Sequence, residues 1–237
     1  MLAFHRAIGI DTYPTTSGVV SFLAAPVTPP PATPAAARPG RAPKDDTQPT
    51  LPPTDSTLEE IRNDLGNCQR CALKEGRNHL VFGTGPARAS LCIVGEWPDP
   101  AEDREGSPFA GESGALLDRM LAAIGLSRDQ IYLTNIVKCR PPADRPPLAD
   151  EVRVCLPFLT RQIAVVSPKV IVAMGPLACQ TLLHSNQPLS RLRGRWHKFH
   201  GIDLMPTFHP AFLLANLEMK KASWLDLQLI QKRCAKP

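Results

Sequence analysis

SLCIVGEWPDPAEDREGSPFAGESGALLDRMLAAIG, residues 90–125, decides how the rest of the chain is read. SLCIVGE is a short unbroken apolar run, the pattern of a strand buried on both faces. ESGALLDRMLAAIG then places Leu116, Leu117, Met120, Leu121 and Ile124 at helical spacing, with Gly125 as a stop. Between them lies an acidic stretch carrying Glu96, Asp99, Glu102, Asp103 and Glu105, followed by Ser-Pro-Phe. A segment leaving the carboxyl end of a buried strand is where α/β proteins place their ligands.

The alternation continues downstream. IYLTNIVKC (131–139), KVIVAMG (169–175) and IDLMPTFH (202–209) read as further strands. LADEVRVCLPFLTRQIAVV (148–166, despite Pro157), PLACQTLLH (176–184) and residues 222–233 read as helices. Such spacing predicts an α/β fold, a parallel sheet of four strands with helices on both faces. The strand ends at Glu96, Asn135, Gly175 and His209 then share one rim, and three of them carry polar side chains.

Upstream the composition changes. Eleven of the 26 prolines precede residue 58, many of them in APVTPPPATPAAARPGRAPKDDTQPTLPPT (25–54). Residues 16–57 therefore read as a disordered Pro/Ala-rich linker, and the folded domain is expected over 58–237. Residues 1–15 read as a short amphipathic segment, a frayed tail or a tethered docking peptide for a protein partner. Residues 1–57 carry four basic and four acidic side chains, so the net charge of +5 belongs to the remainder. That balance suits a nucleic-acid partner without requiring one. No apolar run approaches the roughly 18 residues of a membrane span.

Seven cysteines with no secretory leader point to a reducing, cytoplasmic setting. Cys68 and Cys71 form NCQRC ahead of the sheet, Cys139 closes the second apolar run, and Cys155 lies in the next helix. Four cysteines with one C-x-x-C pair suit either zinc or a [4Fe–4S] cluster. The single pair, with two distant partners, leans toward a cluster set into a larger fold. Cys92 and Cys179 fall in apolar patterns and read as core, and Cys234 as a tail thiol.

Together, NCQRCALKEGRNHLVFG, GEWPDPAEDREGSPFAGESGALLDRML, YLTNIVKCRPP, the helix with Cys155, RGRWHKFHGIDLMPTFHPAFLL and SWLDLQ resemble the family 4 iron–sulfur uracil-DNA glycosylases. The resemblance covers nearly everything after residue 58. It implies a three-layer α/β/α sandwich around a four-stranded parallel sheet, a [4Fe–4S] cluster on Cys68, Cys71, Cys139 and Cys155, and uracil-containing DNA as substrate for a monomeric protein. It further implies roles for single residues. Glu96 would lie near the sugar and the attacking water, and Phe109 would stack on the flipped base. Asn135 would read the base edge and His209 would support charge on uracil O2. Glu102 would crowd a thymine methyl, and Asp103 and Glu105 would be capping or solvated acids. Pro210 and Ala211 open the loop expected to wedge into DNA, and Arg193, Arg195 and Lys198 are candidate phosphate contacts.

Three positions depart from that family's pattern. Trp97 stands where a small residue is expected against the base, Asp99 stands for a glycine, and Leu217 for a proline. Trp97 thus becomes a base-contacting candidate or an obstruction, and Asp99 a candidate for a backbone angle only glycine adopts readily. Two readings follow: an active glycosylase with a remodelled pocket, or a DNA-binding or replication-associated relative that keeps the cluster and has lost excision.

Overall fold

In the computed structural model, residue 51 and residues 55–235 are described, so the expected N-terminal segment and nearly all of the linker lie outside the described residues. Helix α1 (Leu58–Leu65) opens with a capping box in which Thr57 and Glu60 satisfy each other's backbone N–H groups, a motif whose cap contributes about 1 kcal/mol. Its buried Ile61 and Leu65 pack with Phe82 and Phe158.

Strands β1 (Leu91–Gly95), β2 (Ile131–Asn135) and β3 (Val170–Met174) are buried at every position, which explains their unbroken apolar sequence. The remaining strands are β4 (His197–Phe199) and β5 (Ile202–Thr207). The order across the sheet is β2-β1-β3-β5-β4. The first four are mutually parallel, as expected. β4 is a fifth strand that the alternation pattern missed, pairing antiparallel with β5 at the edge. Three residues, one of them buried, are too few to show periodicity.

The acidic stretch is not a loop: Pro100–Glu105 forms a short helix, α2. α3 (Gly111–Ala123) follows, then α4 (Ala149–Val166), α5 (Pro176–Leu183), α6 (Leu189–Leu192), α7 (Pro210–Ala215) and α8 (Lys220–Cys234). Cys92, Val94, Tyr132, Ile171, Ala173 and Leu204 from the sheet pack with Leu159, Ile163 and Val166 of α4 and Ala178, Cys179 and Leu182 of α5. Pro157 sits inside α4 without ending it.

β1 has β2 on one side and β3 on the other, so the direction of winding reverses between β1 and β3. A crevice opens at such a reversal beyond the carboxyl ends of the strands. Among the described residues no helix is long and apolar enough to cross a membrane.

Candidate active site and cysteine cavity

The site begins with α2. Asp99 is its N-cap: Oδ1 accepts from Ala101 N at 2.8 Å and Glu102 N at 2.9 Å, and Glu102 Oε2 accepts from Asp99 N at 2.8 Å. The backbone at Asp99 (φ −80°, ψ 176°) is ordinary extended chain, so the residue brings no glycine-only angle. Trp97 is half-buried and packs against the large apolar cluster of the sheet. These placements remove the grounds for reading Asp99 as a backbone defect.

Glu102 is 3% exposed, and its second oxygen binds two groups at once. Oε1 accepts from the Phe109 N–H and from Asn135 Nδ2, the latter at 3.2 Å. Burial raises Glu102 to about 7, against the pull of the Asp99 and Phe109 N–H groups. Through these bonds the Glu102 carboxyl ties the backbone of Phe109 to the side chain of Asn135.

Phe109 has φ +54°, a left-handed conformation unusual for a bulky side chain. Glu102 holds its N–H, and Arg128 Nη2 donates to its carbonyl at 2.6 Å. The ring is buried and lies nearly parallel to that of His209, with centroids 5.4 Å apart and planes at 19°. This strained turn carries no signal in the sequence.

Asn135, at the end of β2, is 1% exposed. Because Nδ2 faces Glu102, its Oδ1 is presented as the acceptor, and it is buried with no hydrogen-bond partner. A Cβ at Gly95 would meet that Oδ1 at 2.2 Å and Phe109 Cζ at 3.0 Å. Glycine at the end of β1 is therefore required by the amide and ring beside it.

His209 caps α7, its Nδ1 accepting from Ala211 N at 3.3 Å, which leaves Nε2 to carry the proton. Burial lowers it to about 4, opposed by the charge of Asp99, so the ring is neutral at pH 7. Glu96 sits at the β1–β3 crevice: Oε1 accepts from Leu177 N at 2.7 Å, and a Cβ at Gly175 would meet its Cδ at 2.3 Å. Burial raises Glu96 to about 7. The four strand ends named from the sequence thus stand side by side in the order Asn135, Glu96, Gly175, His209.

Other expectations change. Asp103 is not solvated: it is fully buried and accepts from Asn78 N at 2.9 Å and Asn78 Nδ2 at 2.6 Å. Arg193 is engaged by Asp226, Nη2–Oδ1 2.8 Å and Nε–Oδ2 3.1 Å, so its guanidinium is committed inside the fold. Lys198 pairs with Asp203 at 2.7 Å on the edge hairpin, and Pro210 is buried at the start of α7. Arg195 and Ala211 are exposed. So are Phe212, Leu214, Leu217 and Met219, an apolar group just beyond His209.

Cys68, Cys71, Cys139 and Cys155 line one cavity with Leu65, Leu73, Leu80, Val137, Lys138, Val154 and Phe158. β2 ends at Asn135 rather than at the cysteine, and Cys139 lies four residues beyond. Arg77 Nη1 donates to Cys139 Sγ at 3.3 Å and to Cys68 O at 2.9 Å, and Arg70 Nη1 lies 3.6 Å from Cys68 Sγ. Among the described residues no three Cys, His, Asp or Glu converge as ligands of one metal ion.

A family model described as the uracil DNA glycosylase superfamily matches residues 82–229. The chain is 37% identical over 190 residues to the type-4 uracil-DNA glycosylase of Sulfurisphaera tokodaii, covering 76% of this chain and 86% of that protein. It is 35% identical over 190 residues to the type-4 enzyme of Archaeoglobus fulgidus (76% and 94%), and 36% identical over 163 residues to that of Thermotoga maritima (67% and 84%). The family model spans α2, Asn135 and His209, and with relatives of this identity and coverage the chain belongs to the uracil-DNA glycosylase superfamily and, within it, to the type-4 family.

Proposed function

We propose that the chain is a DNA repair glycosylase that hydrolyses the N-glycosidic bond of uracil in DNA. The observation that carries this reading is Asn135 Oδ1, a buried acceptor with no partner whose orientation Glu102 sets. Such an atom costs about 1–3 kcal/mol until a donor arrives. Uracil offers N3–H there, and the second Asn135 amide hydrogen suits O4. Cytosine offers the reverse pattern and leaves both groups unpaired.

A duplex hides the bond, so the nucleotide is rotated out of the stack. The exposed Phe212, Leu214, Leu217 and Met219 beyond His209 suit an apolar wedge that favours this. Bond cleavage leaves a uracil anion and a cationic sugar. Neutral His209, with its proton on Nε2, donates toward the oxygen that gains charge and need not surrender that proton. Glu96, when ionised, places negative charge in the crevice for the sugar and orients water.

The cysteine cavity fits a [4Fe–4S] cluster: four sulfurs on three separated segments, an apolar lining, and guanidinium donors on two of them. Cys68, Cys71, Cys139 and Cys155 would hold it, and it would supply a structural crosslink between the segment ahead of the sheet and the segment after β2. We assign the protein to a reducing, cytoplasmic compartment and to action as a monomer.

The test is excision from a labelled single-stranded oligonucleotide with one uracil, followed by alkaline cleavage. Scission above that of a Glu96→Ala, His209→Ala double variant supports the reading. Intact, iron-loaded protein that binds the strand and never cuts it would refute excision.

A further inference from the structure

A polar seam runs beneath the base-reading end of β2. Lys138 is fully buried, three residues past that strand, and it lines the cavity of the four cysteines. Its Nζ donates to Asn135 O at 2.7 Å and to Thr134 Oγ1 at 2.5 Å. The Thr134 hydroxyl lies 3.1 Å from Phe82 O and 3.3 Å from Gln162 Oε1. Gln162, buried on the helix that carries Cys155, donates to Phe82 O at 2.9 Å and to Tyr132 Oη at 3.1 Å.

Two consequences follow from this placement. The peptide between Asn135 and Ile136 is held at both polar atoms, by Lys138 on the carbonyl and by Gly95 O on the Ile136 N–H at 3.0 Å. The backbone that aims the Asn135 amide is therefore anchored from the cysteine side. Secondly, both acceptors of Nζ are neutral, and a buried ammonium needs opposing charge as well as hydrogen bonds. Four thiolates around an iron–sulfur core bring such charge to the cavity wall that Lys138 helps to form.

We propose that Lys138 is a positioning residue that joins the cysteine-bound group to the base reader: its side chain fixes the Asn135 carbonyl while its positive charge lies beside the cavity of the four cysteines. The inference rests on the cluster reading given above. A buried cation beside the cluster favours the more negative, reduced state and so raises its potential. An anchored strand end keeps the Asn135 amide in the orientation that selects uracil.

The test uses the full chain, purified anaerobically, as parent, Lys138→Met and Lys138→Arg. Iron and sulfide per chain, the reduction potential, and kcat and KM on a uracil oligonucleotide are measured for each. Lys138→Met is expected to lower the potential and to raise KM about tenfold with a smaller change in kcat, and Lys138→Arg to restore the potential toward the parent's. Parental potential and KM in an iron-loaded Lys138→Met protein would overturn the proposal. Should that variant not fold, Thr134→Val serves: it removes one Nζ acceptor and keeps the charge. A raised KM at unchanged potential would support the link, and an unchanged KM would overturn it. A parent protein without iron would instead overturn the cluster reading itself, so the two failures are told apart.

Discussion

The Glu102 carboxylate accepts the side-chain amide of Asn135 at 3.2 Å, and the same oxygen takes the N–H of Phe109. One buried atom thus holds both the Asn135 side-chain amide and the Phe109 backbone. Replacing Glu102 by Ala should leave those two donors without an acceptor, at about 1–3 kcal/mol each. We expect kcat/KM for uracil to fall about tenfold or more, with weakened discrimination against cytosine. Unchanged kinetics on a single-stranded uracil substrate would contradict the assignment.

Stability should depend on pH through the same carboxylates. Burial moves Glu96 and Glu102 from 4.5 to about 7, so the folded chain keeps protons that the unfolded chain releases. Their contribution is complete below pH 4.5 and is lost as pH rises toward 7. His209 acts oppositely: lowered from 6.5 to about 4, its contribution is present above 6.5 and lost as pH falls through 4. Urea midpoints across this range should decline less steeply between pH 4.5 and 7 in Glu102→Gln than in the parent. Equal slopes would show that the carboxyl is not held protonated.

The rate should carry a related signature. If ionised Glu96 faces the sugar, kcat rises through pH about 7, and Glu96→Gln lowers the plateau and removes that rise. No inflection from His209 is expected between pH 5 and 8. A pH–rate profile of Glu96→Gln parallel to the parent's would assign the rise elsewhere.

Trp97 and Asp99 should matter to folding more than to chemistry. Trp97→Ala removes a half-buried ring from the apolar cluster and should cost less than the about 3–5 kcal/mol of a fully buried aromatic. Asp99→Ala removes the α2 cap, worth about 1 kcal/mol, whereas Asp99→Asn should keep it. A gain of about tenfold in kcat/KM on removing Trp97 would show the ring obstructing the pocket.

Arg193 and Arg195 should separate cleanly. Arg193→Ala leaves Asp226 buried without its partner and should destabilise by about 3 kcal/mol, with the salt dependence of DNA binding unchanged. Arg195 is exposed, and Arg195→Ala should reduce the salt slope by about 1 if it meets a phosphate. Urea unfolding and salt titration of oligonucleotide binding distinguish the two.

Much of the frame could be read from the residues, because buried parallel strands and amphipathic helices write their burial into composition. The rim of Asn135, Glu96, Gly175 and His209 followed from strand ends alone. What could not be read depended on where side chains turn. Nothing in RGRWHK announces that Arg193 pairs with Asp226, 33 residues away. Asp103 looks solvated until Asn78 comes over it. β4 was missed because an edge strand of three residues buries too little to leave a pattern. Phe109 carries its left-handed turn because Glu102 and Arg128 grip its peptide groups from distant segments.

Gly95 closes β1 directly against the Asn135 amide and the Phe109 ring. A single methyl there would push aside the Asn135 amide and the Phe109 ring before any nucleotide arrived. Gly95→Ala would therefore behave as a protein carrying its own permanent antagonist: cysteine cavity and the exposed apolar group beyond His209 intact, selection of the base erased. It offers a trap for catching the enzyme on DNA at the moment before commitment, without removing any of the groups that perform the reaction.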